Sequence, residues 1–187
     1  MTAAWVRMRA RVSRRAVPCV AGALFAVFTN DAHAEAAQPN EGSAHAIDHT
    51  IVVGLGAAAE LGLRGGQVHS GANLMVEWDA VEDWLELEAD ASILSADDGV
   101  EVPIGMLVKK PFRLTHWAEF MIGVGPEIVR VSNRTTHNTF GGGQLALDFM
   151  FWPTRRVGLW VEPSYDLIFS DPVSHGIGST GGLLVGW

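Results

Sequence analysis

The 187-residue chain carries one cysteine, one tyrosine and only 18% charged residues. A lone cysteine excludes an internal disulfide framework. With 13 bases against 21 acids there is no basic stripe of the kind that nucleic-acid binding requires. At 48% hydrophobic the chain is too oily for an acidic disordered protein. It nevertheless lacks any run of about 18 consecutive apolar residues, so no membrane-spanning helix is expected. What it has in quantity is glycine, 21 residues, and aromatic rings, among them 7 Trp and 8 Phe. That pairing points to β structure with close backbone approaches.

The N-terminus has the three parts of an export signal. Arg7, Arg9, Arg11, Arg14 and Arg15 form a basic region, Ala16 to Phe28 an apolar region too short to span, and Ala32-His33-Ala34 a small-x-small cleavage site. Residues 1–34 are expected to be a signal peptide, and Cys19 leaves with it. A cysteine-free mature chain suits an oxidising envelope compartment. Five of the 13 bases and one of the 21 acids lie in the signal, so the remaining 153 residues hold 8 bases against 20 acids, a formal −12. Residues 35–48, rich in Ala, Gln, Asn, Gly and Ser without periodicity, are expected to be a flexible periplasmic lead-in. His45 and His49 stand four apart there, but stable metal sites need three or four ligands, so neither a metal nor another cofactor is expected.

From His49 onward the governing period is two, which sends alternate side chains to opposite faces of a strand. Leu85, Leu87, Ala89, Ala91 and Ile93 alternate with Trp84, Glu86, Glu88, Asp90 and Ser92: one face oily, the other acidic. Gly143–Phe151 and Val157–Leu167 repeat the pattern, and weaker copies occur at Ile51–Leu61, Ala72–Trp78, Val102–Val108, Ala118–Val124 and Ile177–Trp187. Eight segments near the length that a tilted membrane strand needs predict an all-β fold, an eight-stranded antiparallel up-and-down transmembrane barrel over residues 49–187. Tight turns are expected at 79–83, 110–112 and 153–156. Longer loops are expected at 64–70, 95–101, 131–140 and 170–175, with both termini on the short-turn side.

Trp78, Trp84, Phe112, Phe151, Trp152 and Trp187 all fall at or beside the short turns, as one membrane-interface girdle would. Phe140, Tyr165 and Phe169 are candidates for a thinner girdle near the loops. With these features the chain resembles the small eight-stranded bacterial outer-membrane barrels, the OmpA/OmpX/OmpW-like superfamily, over roughly residues 49 to 187. The resemblance rests on the eight-strand pattern and on the last strand, where Leu183, Val185 and Trp187 match the family's alternating apolar residues before a terminal aromatic; Ser179 and Gly181 depart from it. It implies outer-membrane location, contact with lipid and lipopolysaccharide, recognition of that strand by the barrel-assembly machinery, and a monomer.

If the oily faces meet lipid, parity sends Glu60, Glu77, Glu86, Glu88, Asp90, Glu119, Asp148, Glu162 and Asp166 into the lumen, with Lys109, Arg113 and Arg156 as basic partners near the turns. Two readings stay open: a hydrogen-bonded ionic network that plugs a structural barrel, or a cation-attracting lumen that passes ions or small solutes. Inward Gly54, Gly56, Ala58, Gly105, Gly123, Gly158, Gly178, Gly182 and Gly186 would leave some room. The acidic stretch around Asp97, Asp98 and Glu101 would bridge divalent cations to lipopolysaccharide or simply be solvated.

An enzyme is not expected. Ser164 lies near Glu162, Asp166 and His175 in the chain, but the first three share an inward parity and no G-x-S-x-G elbow occurs, which weighs against a lipid-modifying hydrolase. Gly141-Gly142-Gly143 lacks the lysine of a phosphate loop, and Asn133-Arg134-Thr135 signals exposure only. The rival from another class is a soluble periplasmic lipocalin-like binding barrel, whose polarity would be inverted: apolar inside, with Glu86, Glu88 and Asp90 outside.

Overall fold

The computed structural model describes residues 49–187 apart from 83, 97, 98 and 134. The expected signal peptide (1–34), lead-in (35–48), His45, Asp97, Asp98 and Arg134 lie outside the described residues. Eight antiparallel strands form one closed barrel: β1 (Ile51–Gly62), β2 (Val68–Val81), β3 (Leu85–Ala96), β4 (Gly99–Arg113), β5 (Ala118–Asn133), β6 (His137–Phe151), β7 (Val157–Ile168) and β8 (Ser174–Gly186). Each strand pairs with its neighbour in sequence, and β1 closes on β8 from Val52↔Gly186 to Gly62↔Gly176. The seam is completed by the terminal tryptophan: Thr50 N and Ile51 N donate to Trp187 O, and Trp187 N donates to Ile51 O.

The connections depart from expectation. The predicted longer loops shrink to residues 63–67, 97–98, 134–136 and 169–173, no longer as a class than the opposite turns at 82–84, 114–117 and 152–156. The reason is that Gly-, Ser- and Thr-rich stretches continue the ladder, since pairing needs backbone groups and not apolar side chains. Lys110-Pro111-Phe112 is not a turn either. Pro111 takes a strand position opposite Met121, and the chain reverses at residues 114–117. Proline here does not mark a boundary; it marks a lapse. The β3·β4 pairing skips from Ala91↔Ile104 to Leu94↔Glu101 beside Pro103. The β4·β5 pairing skips from Gly105↔Glu127 to Val108↔Val124 beside Pro126, and β6·β7 from Ala146↔Ser164 to Phe149↔Val161 beside Pro163. In each case proline keeps its pairing on one side and, having no N–H, loses it on the other.

Polarity is the reverse of a soluble barrel. The outer surface carries Leu55, Leu74, Ile93, Ile104, Val124, Leu145, Val161 and Leu183, at least one from every strand and all exposed. The interior buries Glu77, Glu86, Glu88, Lys109, Glu127, Asp148, Glu162 and Asp166 together with an apolar plug of Val52, Met75, Met121, Met150, Trp152, Trp160 and Leu184. The lipocalin-like alternative requires the opposite arrangement.

Candidate functional site

At the centre of the lumen stands Lys109, on β4 and fully buried. Its Nζ donates to Glu88 at 2.5 Å, Asp148 at 2.7 Å and Glu162 at 2.8 Å, and lies 3.1 Å from Glu77. An ammonium has three hydrogens, so Glu77 meets Nζ as a fourth carboxylate by charge alone, through an oxygen that has no hydrogen bond. Carboxylate oxygens of Glu77, Glu88 and Asp148 converge closely enough to hold one ion. That position is occupied by the lysine's own cation. The lysine stem passes Gly123, where a Cβ would come within 2.9 Å of Lys109 Cγ.

Large side chains fill much of the lumen. The inward glycines, expected to leave room, instead receive large neighbours. A Cβ at Gly54 would meet Met75 at 2.6 Å, one at Gly56 or Gly182 the Trp160 indole at 2.8–2.9 Å, and one at Gly158 the Trp152 indole at 2.8 Å. Small positions facing bulky ones are how a narrow barrel is packed.

Among the described residues a cavity lies toward each end. The turn-side cavity is lined by acids Glu77, Asp79, Glu86 and Glu119, by Arg113, and by His49, Trp78 and Trp152. The loop-side chamber is lined by Glu60, Asp90, Glu127 and Asp166 with Gln144, Ser92, Ser164 and Thr180. Asn73 donates to Ser92 at 3.0 Å nearby, and His69 pairs with Glu101 at 2.8 Å.

The candidate residues named from parity thus fall into three groups. Glu77, Glu88, Asp148 and Glu162 surround Lys109; Glu86, Glu119 and Arg113 face the turn-side cavity; Glu60, Asp90 and Asp166 face the loop-side chamber. Arg156 is not brought to the network. It sits exposed in the 152–156 connection, where its backbone oxygen accepts from Gly186 N, because β7 begins one residue later. Glu101 is in β4 with its side chain mostly buried against His69, not in a solvated loop.

Glu127 escaped the sequence reading. Continuing the inward parity of Glu119, Met121 and Gly123 past Val124 reaches it, but Gly125-Pro126 suggests a strand end where β5 in fact continues.

Of the girdle residues, Trp84, Phe112 and Trp187 are exposed and Trp78 and Phe151 half-buried. Phe112, Phe120 and Phe149 stand in register on neighbouring strands, with ring centroids 6.0 and 4.9 Å apart. Trp117 joins them beside Phe151 at 6.1 Å, and Lys110 lies 5.5 Å over the Trp84 ring. Trp152 is a correction. It is 4% exposed, packed at a tilt against the His49 ring with centroids 4.3 Å apart and part of the interior plug, since the chain turns inward after Phe151 and parity ceases to apply. Leu183, Val185 and Trp187 all face outward, with Leu184 between them fully buried. Ser164 donates to Asp166 at 3.2 Å inside the barrel, while His175 is bonded to Tyr165 OH at 2.6 Å on the outer face, so no hydrolytic triad is assembled.

No family model matches the sequence, and no curated protein matches it. Solved structures do. Neisserial surface protein A (NspA) aligns with a TM-score of 0.59 at 13% identity, over 73% of this chain and 96% of that one. The N-terminal β-barrel domain of Pseudomonas aeruginosa OprF aligns with a TM-score of 0.50 at 10% identity, over 72% and 98%. Ail, the attachment invasion locus protein of Yersinia pestis, gives 0.44 at 15% identity, over 72% and 95%. The closed antiparallel eight-strand barrel with charged interior and apolar exterior is the fold of the small outer-membrane β-barrels.

Proposed function

We propose that this chain is exported by its N-terminal signal, inserted into a bacterial outer membrane as a monomer, and serves there as a closed structural barrel and not as an open pore. The observation that carries the reading is Lys109, fully buried and bonded to carboxylates from β3, β6 and β7, which ties opposite walls of the lumen together. Moving it would strand several buried carboxylates at once, a cost of several kcal/mol. The exposed apolar belt supports contact with lipid and lipopolysaccharide, and outward Leu183, Val185 and Trp187 support presentation of β8 to the barrel-assembly machinery.

Membrane fractionation with heat-modifiable gel mobility, followed by planar-bilayer recording, tests the reading. The wild type is expected in the outer membrane, shifting on boiling, with no steady conductance, and a chain lacking Trp187 is expected to lose both membrane recovery and shift. A soluble product, or stable unitary currents from the wild type, would overturn it.

A further inference from the structure

Two clusters of carboxylates share this lumen, and one of them is built around a lysine of the chain itself. Around Lys109 four acidic side chains converge on an ammonium group. Toward the loops four more, Glu60, Asp90, Glu127 and Asp166, line a chamber whose described walls include no lysine, arginine or histidine. Their oxygens are short of partners: Asp90 Oδ2, Glu127 Oε2 and Asp166 Oδ1 are buried without a hydrogen bond, as is Gln144 Oε1. Glu127 is 7% exposed and Asp166 6%, so both carboxylates are more than nine-tenths buried. Orphaned buried acceptors of this kind are rare and costly.

The space is built and not left over. A Cβ at Gly105 would run into Asp90, one at Gly176 would stand 2.5 Å from Glu60 Oε1, and one at Gly178 would stand 2.5 Å from Ser164 Oγ and 3.3 Å from Asp166 Oδ2. Each of these glycines gives a carboxylate the room to face the chamber.

We infer that the loop-side chamber of Glu60, Asp90, Glu127 and Asp166 binds an organic cation through its primary ammonium groups. The chemistry is the one this barrel already uses at Lys109, three N–H donors set among acidic oxygens. A bare metal ion fits less well. Among the described residues the acids that converge closely enough on one point are Glu77, Glu88 and Asp148, which already hold Nζ, whereas the loop-side carboxylates stand further apart. A chain bearing spaced amines matches spread acceptors. Such an amine comes either as a free polyamine or as lysine side chains of a peptide.

The test is calorimetric titration of the full-length protein, purified in neutral detergent, with spermidine, with tri-lysine and with MgCl2. Because binding is read in micelles, its failure is separate from any result on conductance. Saturable spermidine binding is expected, unchanged in Glu82→Gln and weakened about tenfold or more in Glu127→Gln/Asp166→Asn, each charge-assisted bond lost contributing to that fall. Equal binding of tri-lysine would assign the amine to lysine side chains, and spermidine alone to a free polyamine. If the double variant does not show the heat-modifiable shift of folded protein, Gly178→Ala, which narrows the chamber without removing charge, is expected to weaken binding in its place. Saturation by MgCl2 without spermidine binding, spermidine binding indifferent to these substitutions, or silence with every titrant would overturn the inference.

Discussion

At the residue scale the decisive side chain is Lys109. A buried cation between three bonded carboxylates and a fourth at 3.1 Å is a group whose removal costs more than its presence contributes, because the partners are left charged in a dry interior. Lys109→Met is expected to destabilise the barrel by about 3–5 kcal/mol, read as a fall in the urea midpoint of the heat-modifiable form. Lys109→Arg should lose less, since the charge survives while the fork fits the site poorly. The glycines make a second residue-scale argument. Gly54→Ala would drive a Cβ to 2.6 Å from Met75 Cγ, an overpacking expected to cost about 1–3 kcal/mol. Adding Met75→Ala should return part of that loss in a double-mutant cycle; additive effects would show that the two side chains do not meet.

At the element scale the strands run from 12 to 16 residues, beyond the 9–11 or so that a tilted strand needs to cross the hydrocarbon. The excess lies at both ends: polar stretches keep pairing on the loop side, and Lys110-Pro111-Phe112 stays in the β4·β5 ladder on the turn side. Ladders differ in continuity: three gaps trace to prolines, and the β2·β3 register shifts between Asp79 and Val81. The pairings of β1 with β2 and with β8 are unbroken, whereas Pro103, Pro126 and Pro163 each open a gap in one ladder. Peptides covering Ser92–Ile93, Met106–Leu107 and Leu147–Asp148 are therefore expected to take up deuterium sooner than peptides from β1 and β8. Uniform uptake across all eight strands would contradict that assignment.

At the scale of the whole molecule, inside and outside have exchanged roles. Val124, 61% exposed on the belt, and Met121, fully buried three residues earlier on β5, are both apolar, but only the first faces outward. Val124→Arg should cost about 2–4 kcal/mol near the bilayer midplane and reduce membrane recovery. In a soluble barrel the same change would be harmless, so recovery equal to wild type would argue against a lipid-facing surface. Closure without an edge strand also follows from this setting, because no unpaired backbone can face hydrocarbon.

The sequence by itself determined the strand count, the inward parity of most acids and the outward stripe, because period two in a pleated strand is a local property that each segment carries alone. Strand ends were less legible. The stretches around Lys110-Pro111 and Gly125-Pro126 carry turn residues, and only pairing with a neighbour, decided by the closed ladder, keeps them extended; Glu127 was missed for that reason. Which acid meets which cation was beyond parity altogether. Glu77, Glu88, Asp148 and Glu162 come from four different strands, and that they share Lys109 while Glu60, Asp90, Glu127 and Asp166 line the loop-side chamber depends on register and stagger around the ring. The same holds for the glycine room taken by Trp160 and for Trp152 turning inward: contacts across a lumen are made by residues far apart in the chain, and no local pattern records them.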